Sequence, residues 1–484
     1  MQPDNLKKFA ELEEFHGEDY PKGEHDDWNM FARIGFYTDY SSSPMKGMAA
    51  DFQSLRAISG MVNTILGIIT LLLAYRTKNN SWSELLAAKL LGCFLLFHGI
   101  LMTTAYIAGF FTVGSFGQSF FGSLVDIAHT ISIGMACSAC LFFPYPFVQR
   151  KHAEQAVAVV VLIWSFIVTG LIIFIPYETH VVRYAFWFFP TVVWGFVYVR
   201  FSVKELVHKH EHARGLSAAS GLLILATMAW LFSDWLLWIT VMEKFTIPGW
   251  VSNIPPDKNP MLFFVRQSLI MGVSVAALLT MFVLEGWRVV RHGFSVLSGI
   301  VFGFFFIGII SFIVDLSVVD VLEDCIYATC QELPESWTIY NTFTNILTAF
   351  LIQPIVLMYL MLNFNLLDVK TGKNGRYAKA MVLVLVVIVS STIIEMLQSI
   401  IPIGELLTSA FLAIGIAAAI GWEHQIMEQF LKNKNRTVDY LKTIGEIKPV
   451  EPATDTTPSL NFCLIVLFVF ALLLSVLHGA IGLG

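Results

Sequence analysis

The sequence has 484 residues, of which 56% are hydrophobic and 14% are charged, and its mean hydropathy is +0.69. Because soluble domains carry about 25% charged residues, this composition excludes a fold that is stable in water. The net charge of −6 also argues against a nucleic-acid partner, since such partners select strongly basic surfaces.

The first 55 residues are acidic overall and contain no pattern typical of a cleavable secretory signal. We therefore expect the first apolar run to act as the targeting signal. Near the start, Leu6, Phe9, Leu12 and Phe15 are spaced as on one side of a short helix, which Asp4 would cap.

Apolar runs recur along the rest of the chain, and each is long enough to cross a bilayer core of about 30 Å as a helix. We predict an all-α, polytopic membrane bundle of about twelve transmembrane helices. The run at 182–200 gives the weakest apolar signal, and without it every later span would reverse direction. The predicted spans lie near residues 57–75, 85–110, 122–146, 155–176, 182–200, 217–242, 261–284, 293–318, 338–366, 378–399, 404–421 and 460–481.

These runs divide the chain into four parts. Residues 1–55 form an extracytoplasmic tail, and 56–446 form the main bundle of about eleven helices. Residues 447–459 contain three prolines and are predicted to be a flexible linker. Residues 460–484 then form a C-terminal transmembrane anchor helix, and no internal repeat is visible.

Basic residues are distributed unevenly between the loops, and cytoplasmic loops are the ones that collect Lys and Arg. Alternate loops, starting with the one after the first span, hold twenty basic residues, whereas the intervening loops hold three: Arg183, Lys244 and Lys258. We therefore predict a cell-membrane protein whose N-terminus and C-terminus are both extracytoplasmic.

Charged groups inside a bilayer are energetically costly, so each one marks a candidate functional site. Asp126 and His129 are three residues apart, which places both on one face of the third span, where they could share an ion or a proton. Under the predicted orientation, the ionisable residues in the outer halves of their helices are Asp126, His129, Asp234, Arg266, Asp315 and Glu395.

Asp234 and Arg266 lie in consecutive spans, and we predict that they form a structural ion pair. Asp315 and Glu395 then have no obvious cation. Together with the pair on the third span, they predict an outward-facing acidic site for a small cation, an amine or a proton. The alternative is that these carboxylates lie at the hydrated membrane interface.

Two further pairs of residues are candidates for a disulfide bond and for a metal site. Cys325 and Cys330 lie in an acidic loop that is predicted to be exported, where a disulfide would form. His208 and His212 are one helical turn apart on the cytoplasmic side, as in a metal-binding pair, or they simply form a solvated helix end.

Signals for redox or enzymatic chemistry are few. His98 and His129 on neighbouring helices could ligate haem, and Cys137 and Cys140 form a lone CxxC inside an apolar helix, which is a poor metal signal. We find no phosphate-binding loop, dinucleotide fingerprint, zinc-protease helix or nucleophile elbow. The sequence therefore predicts no cofactor and no known enzyme class.

Residues 354–369 combine a proline-containing helix with Tyr359 and the ending Asn363-Phe-Asn-Leu-Leu-Asp-Val369. This stretch resembles one in the multi-span membrane regions of bacterial sensor histidine kinases, although Asn363 and Asn365 replace basic residues of that pattern. The resemblance covers about residues 350–432, and no kinase domain follows. It implies a sensor-like membrane module that signals through a separate partner protein docked on the basic cytoplasmic loops.

The leading hypothesis is therefore a receptor-like or sensory membrane protein that binds a small cation, amine or proton. A secondary transporter that couples to protons or cations is the alternative. The missing repeat and the external N-terminus argue against transport, whereas the number of spans and Gly-rich runs such as 408–421 favour it. A membrane-embedded redox enzyme is a third hypothesis. The expected partners are the lipid bilayer, the small ligand and a cytoplasmic protein.

Overall fold

The computed structural model describes the main helices of the chain and a few shorter pieces between them. The described residues are 46–77, 81–111, 115–149, 152–174, 183, 186, 188–208, 213–228, 236, 272–317, 352–364, 366–367, 375–377, 379–384, 441 and 459–481.

The long regular elements in this part of the chain are all α-helices, which confirms the predicted all-helical class. We number them in chain order. They are α1 (Lys46–Arg76), α2 (Trp82–Ala108), α3 (Phe116–Ala139), α4 (Ala153–Phe174), α5 (Phe188–His208), α6 (Ala213–Met228), α7 (Val273–His292), α8 (Val296–Ser317), α9 (Gln353–Asn363) and α10 (Ser459–Ile481).

Several of these helices are long and apolar enough to cross a membrane. Among the described residues there are seven: Ala57–Arg76, Trp82–Ala108, Phe116–Ala139, Ala153–Ile172, Val273–His292, Val296–Val314 and Ser459–Ala480. Shorter apolar helices occupy Ala213–Thr227 and Gln353–Asn363. The prediction of about twelve spans is thus not confirmed, and the runs predicted at 378–399 and 404–421 lie largely outside the described residues.

Helix ends differ from the predicted ones where local residues dictate it. The third predicted span extends to 146, but α3 ends at Ala139, because Pro144 and Pro146 cannot continue a helix. The seventh was predicted to end at 284, whereas α7 continues to His292 and stops at Gly293, whose φ of +84° suits glycine.

The helices form two neighbouring groups. In the first group α1 packs on α2, α2 on α3 and α3 on α4, and α10 lies against both α3 and α4. In the second group α5, α6 and α7 pack on one another and α8 packs on α7, while α9 contacts both α6 and α2. The C-terminal helix, predicted as an anchor, buries one face through Leu460, Cys463, Leu467, Ala471 and Ser475.

The loops that the sequence analysis identified as basic come together at one end of the bundle. Thr77, after α1, donates from Oγ1 to the carbonyl oxygen of Leu367 at 2.9 Å. Tyr145, after α3, packs on Phe201 of α5 with ring centroids 5.8 Å apart. We call this region the basic end, and it comprises the described parts of 76–81, 140–149, 200–214, 288–295 and 364–379.

The α1 and α2 backbones touch through glycines. A Cβ atom at Gly67 would lie 2.5 Å from the main-chain nitrogen of Leu96, and one at Gly99 would lie 2.4 Å from that of Thr64. Neither backbone nitrogen can move aside without the helix moving with it. Small residues at such contacts let membrane helices approach closely and gain dispersion energy.

We expect Gly99→Ala to lower the free energy of unfolding by about 1–3 kcal/mol, because the added methyl group must push the two helices apart. Unfolding by titration with SDS in mixed micelles measures this change. Gly170→Ala is the matched control, since a Cβ at Gly170 meets nothing within 4 Å. If both variants unfold alike, the close contact between α1 and α2 is wrong.

Candidate functional site

Asp126, the first of the predicted site residues, is buried and paired. Its side chain in α3 is 7% exposed, and Oδ1 accepts a hydrogen bond from Nη1 of Arg183 at 2.9 Å. The same guanidinium nitrogen also donates to the main-chain oxygen of Asp126 at 3.2 Å. Arg183 itself is only 1% exposed, so the two opposite charges are buried together. We call them the Asp126–Arg183 pair.

Trp164 of α4 contacts both α3 and Phe186, which is three residues after Arg183. Nε1 of Trp164 in α4 donates to the main-chain oxygen of Thr130 at 2.9 Å, and the Trp164 ring lies 4.4 Å from that of Phe186. The hydroxyl of Thr130 in turn donates to the main-chain oxygen of Asp126 at 2.8 Å. These contacts lie next to the pair, since Thr130 is one turn after Asp126 in α3.

His129, the second predicted residue, is also buried in α3, three residues after Asp126. Its main-chain oxygen accepts a hydrogen bond from the Ser132 hydroxyl at 2.8 Å. The sequence correctly placed both residues on one apolar helix, but it gave no sign that Arg183 would neutralise Asp126.

The remaining predicted residues are mostly beyond the described part of the chain. The predicted acidic site, the structural ion pair and the disulfide therefore stay predictions. The backbone of Asp315 lies in α8. The Asp315 side chain lies outside the described residues, as do Asp234, Arg266, Cys325, Cys330, Glu395 and His212.

The structure describes His208, His98, Cys137 and Cys140 among the metal and redox candidates. His208 is an exposed residue at the end of α5, and the described residues contain no group of three or more His, Cys, Asp or Glu that could hold a metal. His98 stacks on Phe94 with ring centroids 5.6 Å apart. The thiols of Cys137 and Cys140 contact the main-chain oxygens of Phe186 and Cys137, respectively.

A second charged site, which the sequence analysis missed, surrounds Glu285 in α7. The carboxylate of Glu285 is fully buried. It accepts hydrogen bonds from the Tyr198 hydroxyl at 2.8 Å, from Nη1 of Arg214 at 2.9 Å and from the Ser298 hydroxyl at 2.6 Å. These donors come from α5, α6 and α8, so one carboxylate ties four helices together.

Arg288 extends this site by one turn of α7. It forms ion pairs with both Glu285 and Glu205, and its Nε donates to Oε1 of Glu205 at 3.1 Å. Arg288 is 3% exposed and Glu205 is 14% exposed. With Arg214, which is 22% exposed, two arginines balance two glutamates. We call Tyr198, Glu205, Arg214, Glu285, Arg288 and Ser298 the Glu285 cluster.

The sequence did contain a signal for this cluster. Glu285 and Arg288 are three residues apart at the end of an apolar run, which favours an ion pair on one helical face. Arg288 and Arg214 belong to the basic residues of the alternate loops in the sequence. Lys89 in α2 is likewise buried and pairs with Glu154 at 3.3 Å.

Comparisons with models of protein families, with curated proteins and with solved structures find no match to this chain. The class of protein therefore rests on the helices themselves. Seven apolar helices in the described residues indicate a membrane protein, and they are compatible with a multi-pass arrangement. The resemblance of residues 350–432 to the membrane regions of sensor kinases stays a prediction.

The Asp126–Arg183 pair predicts strong energetic coupling between its members. We expect Asp126→Asn or Arg183→Gln alone to cost about 3–5 kcal/mol, because each leaves one uncompensated charge in a buried site. The double variant leaves no charge and should cost clearly less than the sum of the single variants. SDS titration in mixed micelles measures all four free energies. Strictly additive costs would contradict the pairing.

The Glu285 cluster predicts an ordered series of costs. Glu285→Gln leaves both Arg214 and Arg288 without their shared carboxylate and should lower the free energy of unfolding by about 3–5 kcal/mol. Tyr198→Phe removes one hydroxyl from the same carboxylate and should cost less, about 1.5–3 kcal/mol. Equal effects of the two substitutions in the same unfolding assay would show that Glu285 does not join the helices.

Proposed function

We propose that this chain is a receptor-like, sensory membrane protein in which a small cation, an amine or a proton acts on the Asp126–Arg183 pair. The supporting observation is that Asp126, a buried carboxylate in an apolar span, is neutralised by an internal cation at 2.9 Å. A ligand with the same positive charge can replace that internal cation without leaving Asp126 uncompensated.

Replacement of Arg183 has a mechanical consequence. A cation that binds Asp126 displaces the guanidinium, and a proton that binds Asp126 removes the charge that attracts it. In both cases Arg183 is left in a site where burial of its charge is costly. The bound ligand then favours a second conformation, in which Arg183 is hydrated. The size of this shift is set by the difference between the ligand's affinities for the two conformations.

The displaced arginine is close in sequence to the helix that reaches the second charged site. Arg183 is five residues before Phe188, where α5 begins, and α5 carries both Tyr198 and Glu205 of the Glu285 cluster. A shift of Arg183 therefore has a short covalent route to the cluster at the basic end. This connection is the proposed transmission step, and coupling measurements must establish it.

The predicted residues beyond the pair belong to the same proposal. His129, three residues from Asp126, and the carboxylates of Asp315 and Glu395 would supply further donors or proton acceptors around the ligand. The proposed partner is a cytoplasmic protein that docks at the basic end, as the resemblance to sensor-kinase membrane regions implies.

The proposed orientation places the basic end in the cytoplasm and both chain termini outside. Twenty basic residues in alternate loops, against three in the others, support this choice, and so does the packing of the basic loops at one end.

A secondary transporter is the second candidate. It is supported by the presence of two separate charged sites, the Asp126–Arg183 pair and the Glu285 cluster, in different helix groups. Transport by alternating access requires two closures that open in turn, and ion pairs at two places could serve as those closures.

The first experiment measures ligand response and uptake on the same protein. We expect the melting temperature of the purified chain to shift with pH or with added sodium, potassium or simple alkylamines. This response should be lost in Asp126→Asn. Glu154→Gln, which removes a carboxylate paired with Lys89 in another part of the bundle, should retain it.

The outcomes separate the candidates. A response without uptake into proteoliposomes supports the sensory function, whereas saturable uptake that Asp126→Asn abolishes supports transport. Circular dichroism and gel filtration establish that each variant is folded. A wild-type protein that responds to none of these ligands between pH 5 and 9 contradicts both candidates.

A further inference from the structure

Three buried hydroxyl groups in α4 and α10 have no hydrogen-bond partner among the residues that the structure describes. They are Oγ of Ser165, Oγ1 of Thr169 and Oγ of Ser475. Ser165 and Ser475 are fully buried, and Thr169 is 3% exposed. Because a buried hydroxyl without a partner lowers the stability of a fold, each of the three needs an explanation.

Hydroxyl groups in the neighbouring helix α3 are satisfied locally. Thr130 and Ser138 each donate to the main-chain oxygen four residues earlier, at 2.8 Å. This bond is open to any serine or threonine within a helix. The three hydroxyls in α4 and α10 do not form it, and their oxygens are left to bind something between the helices.

The contacts between α10 and α3 place Ser475 at the depth of Asp126. Near the end of α10, His478 contacts the Ser123 hydroxyl, and a Cβ atom on the next residue, a glycine, would lie 2.7 Å from the ring of Phe116, where α3 begins. The end of α10 thus meets the start of α3, so the two helices run in opposite directions. Three residues back along α10 and three residues on along α3 lead to Ser475 and Asp126 by steps of about 4.5 Å in the same direction.

The contacts between α10 and α4 place Thr169 at a similar depth. Sγ of Cys463 lies 3.5 Å from a main-chain oxygen in the second turn of α4, and the rings of Phe166 and Phe470 lie 4.3 Å apart. The two helices therefore run side by side in the same direction. Thr169 and Ser475 follow the contact between the two rings by three and five residues, which is about one helical turn in each case.

These oxygens beside Asp126 suit a small metal cation. Hard cations bind carboxylate and other oxygen ligands, and a single carboxylate balances a single positive charge. A proton on Asp126 would leave the hydroxyls without partners. An amine would have to bury its alkyl group among residues that are at most 7% exposed. An alkali-metal cation has neither difficulty.

We propose that Asp126, Thr169 and Ser475 bind an alkali-metal cation between α3, α4 and α10, with Ser165 one turn along α4. The proposal rests on the proposed function, because it names the class of ligand that displaces Arg183 from Asp126. It also makes α10, which the sequence predicts to be an anchor, a part of the site. The cation stabilises the bundle by giving the buried hydroxyls a partner.

The test measures the melting temperature of the purified full chain while sodium chloride or potassium chloride replaces choline chloride at constant ionic strength. We expect an alkali cation to raise the wild-type melting temperature in a saturable manner. Thr169→Val/Ser475→Ala should raise the apparent dissociation constant by about 25-fold, because two coordinating oxygens are lost. Without the cation, this variant should be at least as stable as the wild type, since it no longer buries those hydroxyls.

Ser220→Ala/Thr280→Val is the matched control, because these two hydroxyls in α6 and α7 donate to main-chain oxygens at 3.0 Å and 2.7 Å. It should keep the wild-type response to the cation. Thr169→Ser retains an oxygen at the site and should retain binding. If the first double variant does not fold, Ser475→Ala alone should still weaken binding by about fivefold.

Three results would overturn the proposal. A wild-type melting temperature that is the same in all three salts would show that no alkali cation binds. An unchanged cation response in Thr169→Val/Ser475→Ala, with lower stability, would show that the hydroxyls bind water instead. An equal loss of response in the control would show that these hydroxyls have no special part. In each case, a response to pH or amines that Asp126→Asn abolishes would still support the sensory function.

Discussion

The structure depends on one constraint: a charge inside an apolar bundle must be neutralised by another group of the same protein. Asp126 meets this requirement with Arg183, and Glu285 meets it with Arg214 and Arg288. Both carboxylates are shielded inside the bundle, so the neutralising groups come from the protein itself. The positions of the helices therefore follow from the charges as much as from their apolar faces, since each partner must be brought within hydrogen-bonding distance.

The two charged sites differ in what they allow. The Glu285 carboxylate of α7 accepts from donors on three other helices, and such a fully satisfied cluster favours a single arrangement of α5 to α8. Among the described residues, Asp126 pairs with one cation, Arg183, which lies outside the long helices. A site with one replaceable partner is better suited to exchange with a ligand. This difference is why the proposed function is assigned to Asp126 and a mechanical role to Glu285.

The apolar helices could be predicted from the sequence, whereas the partners of the charges could not. Runs such as 57–75 and 460–481 agree closely with the helices found, because bilayer-length hydrophobicity is a local property. Asp126 could be predicted as a site residue for the same reason, because a charge within an apolar run is also a local property. Its partner Arg183 is 57 residues away, and Arg214 is 71 residues from Glu285. No local pattern encodes such pairs. Counting basic residues loop by loop also assigns to the loops some cations that form ion pairs within the bundle. Arg183, Arg214 and Lys89 are such cations.

The position of α10 has a consequence for biosynthesis. This helix follows α1 to α9 in the chain, yet it packs against α3 and α4, which a ribosome makes much earlier. Cys463 and Leu467 are fully buried there. During translation the groove between α3 and α4 must stay filled by lipid, or by an insertion factor, until α10 arrives. A messenger truncated before residue 459 would release a protein that lacks α10, so its α3 and α4 would lack this covering helix.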